Sequence, residues 1–123
     1  MPKKIMIVDD EENIVELVRV ILEKEGFEVI ITRNGKECLD KLSKVKPDLI
    51  LMDMMMPVMT GREAVEKIRK NPKTRDLKVA FLTVVRFSEI GKEELKALGV
   101  CDYITKPFDN NDLIKRVRKI VGQ

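Results

Sequence analysis

Two adjacent carboxylates, Asp9 and Asp10, follow directly on the apolar run Ile5–Val8. Asp53 follows Leu49–Met52 in the same way, and Lys106 follows Asp102–Thr105 and precedes Pro107. Thr83 ends a further apolar run, Val79–Thr83. Each reads as a polar residue at the C-terminal end of a buried strand. In a parallel sheet those ends converge on one edge, where open α/β sheets hold their ligands. Two like charges ~4 Å apart repel by roughly 4 kcal/mol at an effective dielectric of about 20. Protonation or a cation relieves that repulsion. An oxygen-only set without histidine or paired cysteine suits Mg2+, which readily shares its shell with a phosphoryl group. The Lys106 ammonium is a point charge suited to a phosphate oxygen, and Thr83 offers a hydroxyl. The set reads as a site for a phosphoryl group, with one carboxylate available as the nucleophile.

Composition narrows the field. The chain has 123 residues, 44% of them hydrophobic and 37% charged, which fits one globular domain spanning residues 1–123. Its net charge of +3 is too mild to argue for direct nucleic-acid binding. No apolar stretch approaches the length of a membrane span and no leader pattern opens the chain. The absence of histidine excludes Ser-His-Asp and Cys-His machinery and any histidine metal ligand. Cys38 and Cys101 have no metal-type or redox-type spacing and read as small, buried, reduced residues.

The elements that must position the candidate residues recur at βα-unit intervals. Five apolar runs, 5–8, 27–31, 48–52, 79–83 and 102–105, read as strands. Helix-period segments lie between and after them. Over 13–24, Ile14, Leu17, Val18, Ile21 and Leu22 form a stripe that ends before Gly26. A second helix is expected over 36–45, with Leu39 and Leu42 inward and Pro47 beyond it. The third opens on a capping box, Thr60 with Glu63, and closes before Pro72. A fourth is expected over 88–98, capped by Ser88, interrupted by nothing stronger than Gly91 and stopped at Gly99. The fifth starts at Asp109 and buries Leu113, Ile114, Val117, Ile120 and Val121. Strand and helix alternate five times, which predicts an α/β fold of three αβα layers, a doubly wound (βα)5 unit with a parallel sheet covered on both faces.

The segment Asp53-Met54-Met55-Met56-Pro57-Val58-Met59-Thr60-Gly61 fits the pattern D-x-x-M-P-x-x-x-G. With Ile7-Val8-Asp9-Asp10-Glu11, Leu82-Thr83 and Tyr103-Ile104-Thr105-Lys106-Pro107-Phe108, in that order, it resembles the receiver domains of two-component response regulators over essentially the whole chain. The resemblance implies a flavodoxin-like, CheY-like sheet in the order 2-1-3-4-5. It implies that Asp53 takes a phosphoryl group from the phosphohistidine of a histidine kinase. It assigns Mg2+ to the carboxylates of Asp10 and Asp53 and the backbone carbonyl of Met55, with Asp9 acting through a water. It gives Lys106 the task of neutralising phosphoryl charge, with a cis bond to Pro107. It makes Thr83 and Tyr103 a switch that remodels the face of the fourth helix, fifth strand and fifth helix. Such a protein is a cytoplasmic signalling phosphoacceptor, not an enzyme with an external product. Its partners are the kinase and a downstream target, or an effector domain beyond residue 123, and it is a monomer or a phosphorylation-dependent dimer.

Plainer readings stand beside these. Asp9 and Asp10 could cap the first helix. Tyr103 could be packing, the methionines 52, 54, 55, 56 and 59 core filler, and Lys115, Arg116, Arg118 and Lys119 a solvated face. An aspartate-nucleophile phosphatase needs a second aspartate two residues after the first, where this chain has Glu11. A flavin carrier needs a phosphate-holding loop after strand one, where this chain has four acids, residues 9–12. A receiver-shaped interaction module that carries no phosphate remains the alternative. One departure from the family stands at the site itself. The residue after Thr83 is usually small and here is Val84, whose branched side chain is expected to slow loading from small donors or prolong the phosphoryl state.

Overall fold

A computed structural model describes residues 2–123. The elements run β1 (Lys4–Val8), α1 (Glu12–Lys24), β2 (Glu28–Thr32), α2 (Gly35–Leu42), β3 (Leu49–Met52) and α3 (Gly61–Lys70). They continue with β4 (Val79–Thr83), α4 (Phe87–Ile90), α5 (Lys92–Leu98), β5 (Asp102–Thr105) and α6 (Asn110–Val121). The five strands pair in parallel in the order β2-β1-β3-β4-β5. This is the CheY-like, flavodoxin-like arrangement that the alternating pattern and the resemblance lead to.

Successive strand side chains point to opposite faces, and the core divides accordingly. Met6, Val8, Ile50, Met52, Val79 and Phe81 pack on the side covered by α2, α3 and α5. Ile5, Ile7, Leu49, Leu51, Ala80 and Leu82 pack on the side covered by α1 and α6. β1, β3 and β4 are almost entirely apolar because both their faces are covered. The capping box at α3 is present in full: the Thr60 side chain accepts from the Glu63 N–H, and the Glu63 carboxylate accepts from the Thr60 N–H at 3.1 Å.

Five expectations are corrected. The helix foreseen over 88–98 is two helices, because Gly91 takes φ 90° and ψ 139° between them. Ser88 lies inside the first of them; Arg86 holds the N-cap position and makes no side-chain cap bond. On α1 the buried stripe is Val15, Val18, Ile21 and Leu22, and Leu17 faces solvent. α2 ends at Leu42, three residues earlier than Val45, with Cys38 fully buried beside Leu42 and Leu39 only partly covered. Cys38 is buried as expected, and desolvation pushes its thiol up to about 12. Cys101 is exposed, because it stands in the turn just before the edge strand β5. No helix among the described residues is long and apolar enough to cross a membrane.

Candidate phosphoacceptor site

The sheet places the acids by continuing its ladder one residue past the strand ends. β1 and β3 pair in the register Val8↔Met52, and the Asp53 N–H donates to the Val8 carbonyl at 2.9 Å. The Asp9 N–H donates to the Thr32 carbonyl at 3.2 Å, tying it to the end of β2. On the other side Thr83 pairs with Thr105, and the Lys106 N–H donates to the Thr83 carbonyl at 2.8 Å. Five candidate residues from four strands therefore converge on one edge.

Asp9, Asp10 and Asp53 each offer a carboxylate oxygen, and these oxygens all lie within 4.8 Å of one another. Asp9 is 2% exposed and Asp53 6%, whereas Asp10 is open to solvent. The Lys106 ammonium donates to Asp9 Oδ2 at 2.7 Å and stands 3.8 Å from Asp53 Oδ2. One cation thus faces two of the three acids. Burial pushes the Asp53 carboxyl above the ordinary carboxylate range and the neighbouring Asp9 adds to the rise, while Lys106, the Thr83 hydroxyl and the Met55 N–H pull it back. Asp53 Oδ1 accepts from that Met55 N–H at 3.2 Å.

The capping alternative for the first pair of acids is not what the structure holds. α1 begins with Glu11 at the N-cap position and no side-chain cap bond. Asp9 Oδ1 instead accepts from the Glu11 N–H at 2.9 Å, a local turn that fixes its carboxylate. The peptide bond between Lys106 and Pro107 is cis. Thr83 is fully buried, and its hydroxyl accepts from the Val85 N–H at 3.4 Å. Val84 is 62% exposed beside it. The Tyr103 ring lies edge-on to Phe81 and Phe87, with centroids 6.0 and 5.7 Å away, and its hydroxyl donates to the Val85 carbonyl. Met54 Sδ is 3.5 Å from the same hydroxyl. Of the methionine cluster, Met52, Met54 and Met56 are core, and Met55 is exposed at the rim.

Sequence reasoning named the candidate residues and overlooked those that hold them. Gly61 matters because its N–H donates to the Met54 carbonyl at 3.0 Å. A Cβ there would collide with the Asp53 carbonyl and come within 2.8 Å of Met54 Cα. The final G of the D-x-x-M-P-x-x-x-G pattern was its signal, visible as spacing but silent about the close approach. Phe87 had no signal, since a lone aromatic after a strand announces no contact. Among the basic residues of α6, Arg116 bridges Asp102 and Asp112, and Arg118 bridges Glu25. That part of the expected solvated face is tied to its neighbours.

Comparison with known proteins agrees with the geometry. The family described as response regulator receiver domain matches residues 5–118. The chemotaxis protein CheY4 of Vibrio cholerae is 33% identical with a TM-score of 0.90, over 98% of this chain and 99% of that one. The N-terminal domain of a response regulator receiver protein from Methanoculleus marisnigri is 35% identical with a TM-score of 0.78, over 98% and 97% of the two chains. The receiver domain of a sensor histidine kinase from Pseudomonas aeruginosa, solved with a magnesium ion coordinated in its active-site cleft, shares the fold at 24% identity, with a TM-score of 0.88 and full coverage of both chains. The chain belongs to the response regulator receiver domains, the CheY-like modules of two-component signalling.

Proposed function

We propose that Asp53 accepts a phosphoryl group from the phosphohistidine of a partner histidine kinase, and that the resulting change of charge is read by a downstream protein. The observation that carries this reading is the meeting of Asp9, Asp10 and Asp53 within 4.8 Å, with the Lys106 ammonium 3.8 Å from the Asp53 carboxylate. In the transfer, an Asp53 oxygen attacks phosphorus as the bond from phosphorus to the imidazole nitrogen breaks. The bond's electron pair stays on the imidazole, which then takes a proton. Lys106 favours the ionised form of Asp53 against the burial that opposes it and then faces the new phosphoryl charge. The buried Thr83 hydroxyl is placed to donate to a phosphoryl oxygen. Tyr103 follows it through Val85, whose N–H donates to the Thr83 hydroxyl and whose carbonyl accepts from Tyr103.

The donor set fits Mg2+: hard oxygens, an excess of negative charge and one acid open to solvent. Asp10 and Asp53 would hold the ion with the Met55 carbonyl, and Asp9 would act through a water. Bound there, Mg2+ supplies charge neutralisation for the phosphoryl group in flight. A magnesium ion is coordinated in the active-site cleft of the Pseudomonas aeruginosa receiver, which shares this fold. On this reading the protein is a cytoplasmic phosphoacceptor that assists its own loading and unloading, not an enzyme acting on a separate substrate.

Acetyl phosphate with Mg2+ followed by intact mass tests it. One added phosphoryl group is expected, lost in Asp53→Asn and without Mg2+. A wild-type mass that never changes, with any cognate kinase as well, favours the interaction module that carries no phosphate.

A further inference from the structure

The two helical segments on either side of Gly91 share one core but are held by different aromatic and polar contacts. α4 is a single turn that buries no residue. Phe87, 47% exposed, meets the Tyr103 ring edge-on at 5.7 Å and 82°, and Ile90, partly buried, packs against the core on that side of the sheet. The loop before it is held by the Tyr103 hydroxyl through the Val85 carbonyl. α5 is fixed elsewhere. Leu95 and Leu98 are buried in the core, and Arg62 of α3 pairs with Glu94 at 2.5 Å. Arg69 of α3 donates to the Leu98 carbonyl at 2.9 Å and the Gly99 carbonyl at 3.1 Å. The same guanidinium donates to the carbonyls of Leu77 at 2.7 Å and Arg75 at 2.9 Å. It thus binds the C-terminal end of α5 to the turn that leads into β4. The backbone bonds across the junction are long: 3.4 Å from the Gly91 N–H to the Phe87 carbonyl and 3.4 Å from the Leu95 N–H to the Gly91 carbonyl.

We propose that Phe87 is the positioning residue that couples Tyr103 to the readout face, and that Gly91 is the hinge. Segment 84–91 moves with Tyr103 while α5 stays fixed to α3. The proposal rests on the reading of Asp53 as phosphoacceptor, but the hinge itself is a property of the unmodified chain. A continuous helix would carry a displacement at its first turn along its whole length. Here the φ of Gly91 interrupts the ladder, and the two charge-assisted bonds from Arg69 to the Leu98 and Gly99 carbonyls oppose movement beyond it. The output face is therefore a short segment, not a whole helix.

Hydrogen exchange of the full chain, read by mass spectrometry, tests this in two arms. Without phosphoryl donor, Phe87→Ala should speed exchange in 84–91 by roughly threefold to tenfold, the range an aromatic edge contact supplies, and leave 92–99 unchanged. Phe87→Tyr, which keeps the ring edge, should restore the wild-type rate. Arg69→Gln should do the reverse, speeding 92–99 and sparing 84–91. If both segments respond as one unit to both variants, the hinge is overturned. In the second arm, with acetyl phosphate and Mg2+, the adduct is followed by mass alongside exchange. The wild type should change in 84–91 and hold steady in 92–99, and Phe87→Ala should load phosphate without that change. An adduct that alters 84–99 throughout overturns the coupling. No adduct at all overturns the phosphoacceptor reading instead, and the hinge then stands or falls on the first arm.

Discussion

At the residue scale the site is an imbalance of charge held in place by packing. Lys106 is nearly buried between Asp9 and Asp53, so Lys106→Met leaves two covered carboxylates with no cation. Breaking a buried pair in this way costs about 3 kcal/mol. We expect a loss of that size in Mg2+-free urea unfolding, a smaller one with Mg2+, and phosphoryl loading slowed at least tenfold. Asp53 gives a pH signature of opposite sign. Its folded-state value is raised, so the native state binds its proton more tightly than the unfolded chain. Stability therefore falls as pH rises from about 4 through the raised value, and the penalty persists above it. Asp53→Asn should be more stable than wild type at pH 7 without Mg2+, because it removes the charge that burial disfavours. The gap should close below about pH 4, where the carboxylate is neutral in both states; a gap independent of pH contradicts the assignment. Val84 stands exposed next to Thr83, and its branched side chain is expected to crowd the approach to Asp53. Val84→Ala should shorten the phosphoryl lifetime by a few-fold, and equal lifetimes and loading rates would remove the idea.

At the element scale, the acceptor loop depends on a helix start. The capping box fixes where α3 begins, and Gly61 lets that first turn lie against the backbone of Asp53 and Met54. Gly61→Ala forces the loop away. We expect a stability loss of about 2 kcal/mol, and a drop in phosphoryl loading larger than that loss explains, since the acceptor itself moves. Calorimetry paired with loading rates checks it. The same scale shows why some of the architecture could be read from residues and some could not. The strands came within a residue or so of their bounds because β1, β3 and β4 are buried on both faces, so their apolar runs have sharp ends. Thr60 and Glu63 fixed α3 because a cap is local chemistry. Gly91 did not reveal the break between α4 and α5, because a glycine costs a helix only about 1 kcal/mol. Tertiary anchoring at Tyr103 and Arg69 decides the matter, and no local pattern encodes it. Leu17 and Val15 were confused for a related reason: α1 offers apolar residues on more than one side, and only its angle against the sheet selects the stripe. The candidate residues were legible because each stands at the end of an apolar run. Their supports, Gly61, Thr32 and Phe87, act through backbone contacts and packing that sequence spacing does not express.

At the scale of the whole molecule, a net charge of +3 conceals a division. Acids 9–12 gather at the acceptor edge, while Lys3, Lys44, Lys46, Lys73, Arg75 and Lys78 lie in the segments at the opposite edge of the sheet. Helix C-termini point the same way, and their last turns carry Lys24, Lys41, Lys70 and Lys119, which complements the helix dipoles. The field at the site is therefore negative although the protein is cationic, and it attracts a divalent ion by local charge. Mg2+ should raise Tm, and go on raising it with the logarithm of its concentration above Kd, and its affinity should fall several-fold between about 20 and 500 mM NaCl as screening tightens. An affinity indifferent to salt contradicts that picture. The central claim is that one particular carboxylate becomes an acyl phosphate. Borohydride reduction of the phosphorylated protein, followed by peptide mapping, reads that bond directly, because only an acyl phosphate is reduced to the alcohol. The account predicts homoserine in place of Asp53 and at no other aspartate, dependent on Mg2+ and phosphodonor together. Reduction at Asp9 or Asp10, or none in a protein that has gained a phosphoryl mass, would contradict it.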